Sequence, residues 1–450
     1  MENLKDTIVA ISTGSTNGAI SIVRLSGEDS IKIADKIFKT KKNTRPSMFA
    51  PRYLELGTIT TKNFKEQAMC VVFVAPNSYT GENIVEIQCH GGLKIAQGIV
   101  EECMSLGARL ANNGEFTKRA FINGKISLAS AEGVMDMINA ETNAQIRAGY
   151  DLLSGNLSKE AFTYQQELTD ILSDIEVSFD YPEEEIEYIT KANVLQKLNV
   201  MHNNINNLLK TADTGKIISS GINVLIVGKP NVGKSSLLNA LLAKERAIVT
   251  DVPGTTRDTV EDSFSINGIK VNIIDTAGIH ETADFVERIG VEKSKQLINK
   301  ADIVLFVTDS SKPETIEDQQ IFKLIKNKPY LKIANKADIS KISNVADNNT
   351  IVVSSVTGKG LETLKQKIYN QFNNPDIVEG SVIITNARHK QSLENAYNHI
   401  TNAIKAIKNQ TLDLVSIDLK LAYSALGEIT GNTTGEDIID AIFSKFCLGK

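Results

Sequence analysis

The eight residues GKPNVGKS, at positions 228–235, constrain this chain more than any other stretch. They follow the apolar run INVLIV at 222–227 and precede SLLNALL at 236–242, whose spacing predicts a helix. A glycine-containing loop between a strand and a helix turns backbone N–H groups inward, and the helix N-terminus adds its positive dipole end. The motif therefore predicts a phosphate-binding loop, in which Lys234 contacts the β- and γ-phosphates of a nucleotide and Ser235 ligates Mg²⁺.

Two further motifs follow in the order expected of a nucleotide site. DTAG at 275–278 comes directly after the apolar run VNII at 271–274. Asp275 at a strand end can hold the Mg²⁺ shell through water, and Gly278 lets its N–H approach the γ-phosphate. GTTRD at 254–258 lies between the first helix and the next strand, where Thr256 can supply a Mg²⁺ ligand.

The motif NKAD at 335–338 predicts which nucleotide is bound. The Asp338 carboxylate can accept hydrogen bonds from guanine N1–H and its 2-amino group, which adenine does not offer. Asn335 can contact the guanine N7 edge, and the stem of Lys336 can lie along the base. The stretch SSV at 354–356 is where a backbone N–H can meet guanine O6. These motifs together predict a GTPase.

Two residues of this predicted site depart from a Ras-like GTPase. Ile279 stands where many GTPases carry the glutamine that orients the attacking water, and an apolar side chain cannot do that. Asn231, inside the loop, has two interpretations. Its side-chain oxygen can ligate a monovalent cation beside the phosphates, or it can stabilise the turn.

Composition predicts an ordinary multidomain globular protein. Of 450 residues, 42% are hydrophobic and 23% are charged, and the net charge of −5 leaves no global basic footprint for nucleic acid. The four cysteines lack metal-ligand or disulfide spacing. The first residues do not resemble a signal peptide, and no apolar run reaches the length of a membrane span. We therefore expect a cytoplasmic protein without membrane contact.

Hydrophobic periodicity predicts a multidomain fold of α+β, all-α and α/β parts. Residues 1–118 mix strands and helices, 119–215 are helical, 216–373 alternate strands with helices, and 374–450 are helical again. Residues 213–215 (DTG) are interpreted as a linker. We favour one split helical domain with the α/β domain inserted, because neither helical arm alone is large enough for a well-buried core. Two independent helical domains are the alternative.

Several stretches resemble the MnmE (TrmE) family of tRNA modification GTPases over essentially the full length. They are DTIVA at 6–10, VRLSG at 23–27, NSYTGE at 77–82, HGG at 90–92, GEFT at 114–117, FDYPEE at 179–184, VERIG at 286–290 and the tail FCLGK at 446–450. The tail is the most specific, because ordinary GTPases have none. The resemblance implies an N-terminal tetrahydrofolate-binding and dimerisation domain, a split helical domain and an inserted Ras-like G domain of the TrmE type.

The resemblance also implies a function. The family's members form homodimers and a heterotetramer with the flavoprotein MnmG, which carries FAD. Together they modify carbon 5 of the wobble uridine (position 34) of certain tRNAs to carboxymethylaminomethyl- or aminomethyl-uridine. The one-carbon donor is a 5-formyl or 5,10-methylene tetrahydrofolate. GTP hydrolysis, which requires K⁺, acts as a conformational switch.

Family roles transfer to matching positions of this sequence. The GTP-binding set is Asn231, Val232, Gly233, Lys234, Ser235, Ser236, Thr250, Asp251, Val252, Pro253, Gly254, Thr255, Thr256, Asp275, Thr276, Ala277, Gly278, Asn335, Lys336, Asp338, Ser354 and Ser355. The resemblance implies Mg²⁺ ligation by Ser235 and Thr256, and K⁺ ligation by Asn231, Thr250, Val252 and Thr255.

The remaining roles implied by the resemblance each have a simpler alternative. Glu287 corresponds to the water-orienting catalytic residue, or it is a carboxylate that favours a helix N-terminus. The folate-binding positions fall on Arg24, Glu82, Lys125 and Lys450, of which Arg24 and Lys125 would otherwise be surface charges. Cys447 is a functional thiol near the one-carbon site, or a small buried apolar residue.

Two other functional classes share parts of this pattern. A GTP-dependent switch in ribosome or RNA assembly has the same G domain, but it leaves the first 118 residues and the FCLGK tail unexplained. A folate-dependent transferase with an inactive G-domain insert would not require the intact set of Lys234, Ser235, Asp275 and Asp338.

Overall fold

A computed structural model describes residues 6–14, 18–180, 184–243, 260–274, 295–339, 350–372, 382–409 and 412–450. The chain divides into two compact units. Unit 1 comprises Met1–Met135, Leu152–Thr190 and Leu412–Lys450, and unit 2 comprises Asp136–Asp151 and Lys191–Thr411.

The described ranges contain thirteen strands and fourteen helices with defined bounds. The strands are β1 Ile8–Ile11, β2 Ile20–Ser26, β3 Phe38–Thr40, β4 Glu55–Thr60, β5 Lys65–Phe73, β6 Ile84–His90, β7 Arg109–Leu110, β8 Ile222–Val227, β9 Val260–Ile266, β10 Ile269–Ile274, β11 Ile303–Asp309, β12 Tyr330–Asn335 and β13 Thr350–Val352. The helices are α1 Ser30–Ile37, α2 Leu93–Ser105, α3 Glu115–Ile122, α4 Leu128–Ile138, α5 Asn143–Leu153, α6 Asn156–Asp180, α7 Glu184–Lys210, α8 Ala212–Ser220, α9 Lys234–Leu242, α10 Ile316–Ile325, α11 Leu361–Phe372, α12 Ala387–Asn409, α13 Leu412–Thr430 and α14 Glu436–Phe443.

Unit 1 is built on a seven-stranded sheet in the order β3-β4-β5-β6-β2-β1-β7. All neighbours are antiparallel except β1 and β7, which are parallel. Alternate residues of β2, Val23 and Leu25, are fully buried and pack with α1 and α2. This is the period-2 burial of a sheet with one face covered by helices. The sheet places β2, the loop before β6 and the start of α3 in the same unit.

Helices complete unit 1. In α6, Leu168, Ile171 and Ile175 are fully buried and form one apolar face of the helix. Gln165 of this helix donates its side-chain amide to the carbonyl oxygen of Tyr423 in α13, at 3.1 Å. Near the end of the chain, α14 packs Phe443 against Leu128 and Ala131 of α4.

Unit 2 contains a six-stranded sheet in the order β13-β12-β11-β8-β10-β9. The strands are parallel except for the antiparallel hairpin of β9 and β10. Both faces are covered, because Val224 and Ile226 belong to one hydrophobic core while Leu225 and Val227 belong to another. Continuous apolar strands of this kind are characteristic of an α/β sheet with helices on both sides. The predicted mixture of α+β, helical and α/β parts is therefore confirmed, while the domain boundaries and the split helical domain stay predictions.

One interpretation of the sequence is wrong. Residues 213–215 are not a linker, because α8 runs through them from Ala212 to Ser220. Gly215 serves a close contact instead: a Cβ at this position would lie 2.1 Å from the carbonyl oxygen of Ile384. The N–H of Ile384 also donates to the Thr211 hydroxyl at 3.1 Å. Glycine at position 215 allows the backbone of α8 to lie close to the backbone of Ile384.

None of the helices in the described ranges combines the length and the apolar character needed to cross a bilayer.

Candidate functional site

The predicted phosphate-binding loop joins β8 to α9 and folds around a lysine. A Cβ on Gly228 would lie 2.2 Å from the carbonyl oxygen of Val307, so only glycine fits there. Gly233 has φ +94° and precedes α9, which begins at Lys234. The Lys234 ammonium donates hydrogen bonds of 2.8 Å to the carbonyl oxygens of Gly228 and Lys229. The lysine is thus held within the loop, at the N-terminus of a helix, where a phosphate is favoured.

Four other predicted residues of the loop differ in exposure. Asn231 is exposed and has φ +64°, a left-handed conformation that asparagine tolerates better than most residues. Val232 is buried and anchors the loop in the core. Ser235 is half-buried and Ser236 is exposed, both in the first turn of α9. The backbone conformation alone gives a reason for asparagine at position 231, and the exposed side chain leaves its oxygen accessible to an ion.

Asn335 connects the two halves of the predicted GTP site. Its side chain is buried, and its amide nitrogen donates to the carbonyl oxygen of Val232 at 3.0 Å. Its amide oxygen accepts from the N–H and the hydroxyl of Ser355, at 3.2 and 2.9 Å. Asn335 therefore ties the phosphate loop to the loop after β13. The amide nitrogen also donates to the carbonyl oxygen of Gly233 at 3.4 Å, and a contact with the guanine N7 edge stays a prediction.

The remaining base-recognition residues lie after β12 and β13. The Ser354 hydroxyl is buried and donates to Asp338 Oδ1 at 2.6 Å. Asp338 itself is exposed, so Ser354 orients a carboxylate that solvent and a ligand can reach. Lys336 has φ +66°, and its ammonium lies 2.7 Å from Asp309 Oδ2.

Asp309, at the end of β11, was not predicted from the sequence. Burial raises the pKa of its carboxyl, but hydrogen bonds from Lys336 and Ser311 outweigh this and lower the pKa to about 2. The carboxylate is thus charged and holds Lys336 beside Asn335. The available signal in the sequence was the place of Asp309 at the end of the apolar run IVLFV at 303–307, whereas the pairing of this strand with the one that ends at Asn335 is visible only in the structure.

A large part of the predicted nucleotide site lies outside the described residues. This part comprises Thr250, Asp251, Val252, Pro253, Gly254, Thr255, Thr256, Asp275, Thr276, Ala277, Gly278, Ile279 and Glu287.

In unit 1, Arg24 on β2 lies in a half-buried setting rather than as a free surface charge. Its Nε is 2.8 Å from Glu86 Oε1. Its guanidinium carbon lies 6.0 Å from the ring centroid of Tyr79 and 5.6 Å from that of Phe116, within cation–π range. Burial raises the pKa of Tyr79, although the Thr117 hydrogen bond and Arg24 act against it, so the phenol stays neutral and polar.

The other predicted folate residues border the loop before β6 and the start of α3. Glu82 accepts from the Ser26 hydroxyl at 2.7 Å and from Arg119 at 3.2 Å. Lys125 is exposed, and its ammonium donates to the carbonyl oxygen of Pro76 at 3.0 Å.

The FCLGK tail lies against this part of unit 1. The N–H of Phe116 donates to the main-chain oxygen of Lys450 at 3.2 Å, and the Ser12 hydroxyl donates to that of Gly449 at 3.0 Å. Lys450 therefore lies beside Phe116, whose ring Arg24 contacts. Cys447 is exposed, so the alternative of a small buried residue is wrong for this position.

A buried charge network supports Glu82 and was also missed. The Arg119 side chain is 1% exposed and donates to Glu115 at 2.9 Å, to Asp6 at 2.5 Å and to Glu82. Arg109 lies 2.7 Å from both Glu115 and Asp6. The spacing of Glu115 and Arg119, four residues apart on α3, was the available signal. The contacts of Arg119 with Asp6 and Glu82 join distant parts of the chain, and no pattern in the sequence indicates them.

The donor groups suit the two predicted cations. Across the described ranges, no group of three or more His, Cys, Asp or Glu side chains could hold a metal ion. The hydroxyl of Ser235 and the amide oxygen of Asn231 are nevertheless hard oxygen donors beside a phosphate loop, and such donors suit Mg²⁺ and K⁺. In a phosphoryl-transfer site the nucleotide itself supplies further oxygen ligands.

Known proteins resemble this chain along its whole length. The profile described as "GTP-binding protein TrmE N-terminus" matches residues 7–125, and that described as "MnmE helical domain" matches residues 128–447. The tRNA modification GTPase MnmE of Alkaliphilus metalliredigens is 45% identical over 99% of this chain and 100% of the relative. That of Clostridioides difficile is 42% identical with the same coverage.

Among solved structures, a variant of Aquifex aeolicus Era bound to GDP.AlF4- matches 39% of this chain and 66% of its own at 27% identity. The TM-score of this match is 0.26. The full-length relatives and the two profiles confirm the resemblance inferred from the sequence motifs. The chain belongs to the MnmE family of tRNA modification GTPases.

Proposed function

We propose that this protein is a K⁺-dependent GTPase of the cytoplasm that acts with the flavoprotein MnmG on tRNA. The product is a carboxymethylaminomethyl or aminomethyl group on carbon 5 of the wobble uridine. The observation that carries the proposal is the loop at 228–235, which folds around Lys234 at the start of α9 in a chain of this family.

In this proposal Lys234 binds the β- and γ-phosphates and Asp338, oriented by Ser354, selects guanine. Ser235 and Thr256 hold Mg²⁺, and Asn231, Thr250, Val252 and Thr255 hold K⁺. When bound, the two cations neutralise charge on the phosphates. Glu287 takes the role of orienting the attacking water, because Ile279 cannot. GTP turnover then serves as a conformational switch.

A folate site in unit 1 supplies the one-carbon unit in this proposal. The supporting observation is a set of three cations, Arg24, Lys125 and Lys450, with the carboxylate of Glu82. Cations suit the glutamate carboxylates of a tetrahydrofolate, and a carboxylate suits the N–H donors of its pterin. Calorimetry with 5-formyl-tetrahydrofolate tests this site: the wild type binds, Arg24→Met weakens binding, and an absence of heat with the wild type rejects the site.

A homodimer formed through the N-terminal domain is also part of the proposal. Four exposed apolar side chains in or near β4 support it: Met48, Tyr53, Leu54 and Leu56. All four lie within residues 48–56, and exposed apolar patches mark interaction surfaces. FAD belongs to the MnmG partner rather than to this chain.

The decisive experiment is mass spectrometry of tRNA wobble uridines in a deletion strain. Modified uridine should disappear, return with the wild-type gene, and stay absent with Lys234→Ala, which removes the phosphate contact. If uridines are unchanged while ribosomal subunits accumulate unassembled, a ribosome- or RNA-assembly switch replaces this proposal.

A further inference from the structure

The residue after the first glycine of the phosphate loop, Lys229, reaches out of the loop to α10. Its ammonium lies 2.7 Å from Asp318 Oδ2 and donates to the Thr315 hydroxyl at 2.8 Å. The side chains of Lys229 and Asp318 are 17% and 3% exposed. An ion pair this sheltered from water is screened little by salt and holds a fixed geometry.

Asp318 is itself fixed at the start of α10. Its Oδ2 accepts from the N–H of Thr315 at 2.9 Å, and the Thr315 side chain accepts from the N–H of Asp318, which makes a capping box. The Thr315 hydroxyl also donates to Oδ2, at 3.1 Å. Its Oδ1 is buried and has no hydrogen-bond partner among the described residues. Lys229 is therefore the cation that compensates a carboxylate built into the helix N-terminus.

The backbone of Lys229 connects its ion pair with Asp318 to the nucleotide site. Its carbonyl oxygen, with that of Gly228, receives the ammonium of Lys234. Pro230 follows, and a residue before proline is confined to a narrow range of backbone angles. With its side chain anchored and its backbone restricted, Lys229 has little freedom to turn its carbonyl away from Lys234.

We propose that Lys229 is a positioning residue of the phosphate loop: by its ion pair with Asp318, it fixes the carbonyl that orients Lys234. The residue does not touch the nucleotide. It acts on the contact between Lys234 and the phosphates, so its effect depends on the β-phosphate being present. This inference rests on the GTP site of the proposed function.

The test compares guanine nucleotides on the full-length protein. Lys229→Met keeps the aliphatic stem and removes the charge. We expect fluorescently labelled GDP to bind about tenfold more weakly, as is typical for loss of one charge-assisted contact. Competition by GMP, which lacks the β-phosphate, should change by less than about twofold. Lys229→Arg should restore GDP affinity to within about threefold, because it keeps the charge and the reach.

The double variant Lys229→Met/Asp318→Asn separates positioning from stability. It removes the unpaired buried charge, so the melting temperature should recover part of the loss seen with Lys229→Met. GDP affinity should stay low, because the ion pair between residues 229 and 318 is still missing. Recovery of GDP affinity together with stability would overturn the proposal, as would equal losses for GDP and GMP.

A matched control is Lys332→Met, which removes the same kind of side chain from a more exposed pair with Glu314 near α10. GDP affinity should not change in this variant. Wild-type binding of GTP tests the proposed function itself, whereas the ratio of variant to wild type tests the role of Lys229. Failure of one is thereby distinguishable from failure of the other.

Discussion

At the scale of single residues, Asn231 is the position where a structural and a chemical explanation coincide. Its φ of +64° alone favours asparagine or glycine, so the residue type does not require an ion. Its exposed amide oxygen beside the phosphate loop is nevertheless a suitable K⁺ donor. The two roles are separable, because glycine adopts the same backbone conformation and has no oxygen to offer.

In the proposed K⁺ site the cation takes the place where other systems use an arginine finger. Asn231→Gly should therefore keep the fold and GDP binding but lose stimulation of GTP hydrolysis by K⁺, by at least about tenfold. Hydrolysis rates in K⁺ and Na⁺ buffers measure this. Asn267→Gly is the matched control, because Asn267 also has positive φ, in the turn between β9 and β10. If Asn231→Gly kept the full stimulation by K⁺, Asn231 would serve only to stabilise the turn of the loop.

The buried network around Arg119 predicts a pH dependence of stability. Burial raises the pKa of Glu115, but hydrogen bonds from Arg109, Asn112 and Arg119 outweigh it, so the pKa lies below the ordinary value of 4.5. A carboxyl whose pKa is lowered by folding stabilises the fold above its unfolded pKa. That contribution is lost as the pH falls through the folded pKa.

Glu115→Gln should therefore cost roughly 3–5 kcal/mol at pH 7, as expected when one partner of a buried ion pair is removed. The cost should shrink as the pH falls below 4.5. Urea unfolding at pH 7 and at acidic pH measures both values, with Glu101→Gln on an exposed part of α2 as the control. An equal cost at both pH values would contradict the assignment of the network.

At the scale of elements, periodicity predicted the long helices and the central strands, but it missed β3 and β4. Phe38 follows α1 directly in the sequence, and its strand pairing with Ile59 depends on a distant segment. Gly57 interrupts β4 in the sequence, yet a Cβ there would lie 2.4 Å from the carbonyl oxygen of Lys39. Gly57 and Gly215 both serve close backbone approaches that one sequence cannot reveal, and only Gly215 lay in a stretch interpreted as a linker.

The FCLGK tail forms neither a helix nor a strand, and main-chain hydrogen bonds hold it in place. Gly449 has φ +89°, and a Cβ there would lie 2.2 Å from the carbonyl oxygen of Ile11. Gly449→Ala should therefore release the tail and increase hydrogen exchange at the N–H groups of Gly114 and Phe116 by about tenfold or more. These groups bond to Cys447 and Lys450.

Gly14→Ala is the control for the tail, because no atom of the described residues beyond its chain neighbours lies within 4 Å of the added Cβ. Unchanged exchange in Gly449→Ala would mean that the tail contacts do not depend on this glycine. If the folate proposal holds, the same variant should also weaken folate binding, since Lys450 lies in the released segment.

At the scale of the whole molecule, the described residues of each predicted site fall within a single unit. The GTP site was the more predictable, because Lys234 and Asp338 belong to local motifs at strand ends. Asp309, Asp318 and Arg119 were missed although Asp309 ends an apolar run and Arg119 follows Glu115 by four residues, because their contacts with Lys336, Lys229 and Glu82 join segments far apart in the chain. Local patterns identify ligand-binding residues, whereas the residues that position them emerge only from tertiary packing.

The proposed homodimer concerns the whole molecule, and a substitution of one surface residue can test it. The exposed apolar residues around β4 include Leu56, which points away from the core since its neighbours Gly57 and Ile59 are buried. A glutamate there would have to be desolvated in an interface, so Leu56→Glu should raise the dimer dissociation constant at least about a hundredfold. Sedimentation at micromolar concentration should then show monomers. Val200→Glu, an equally exposed apolar position on α7, should leave the dimer intact, and a dimeric Leu56→Glu protein would place the interface elsewhere.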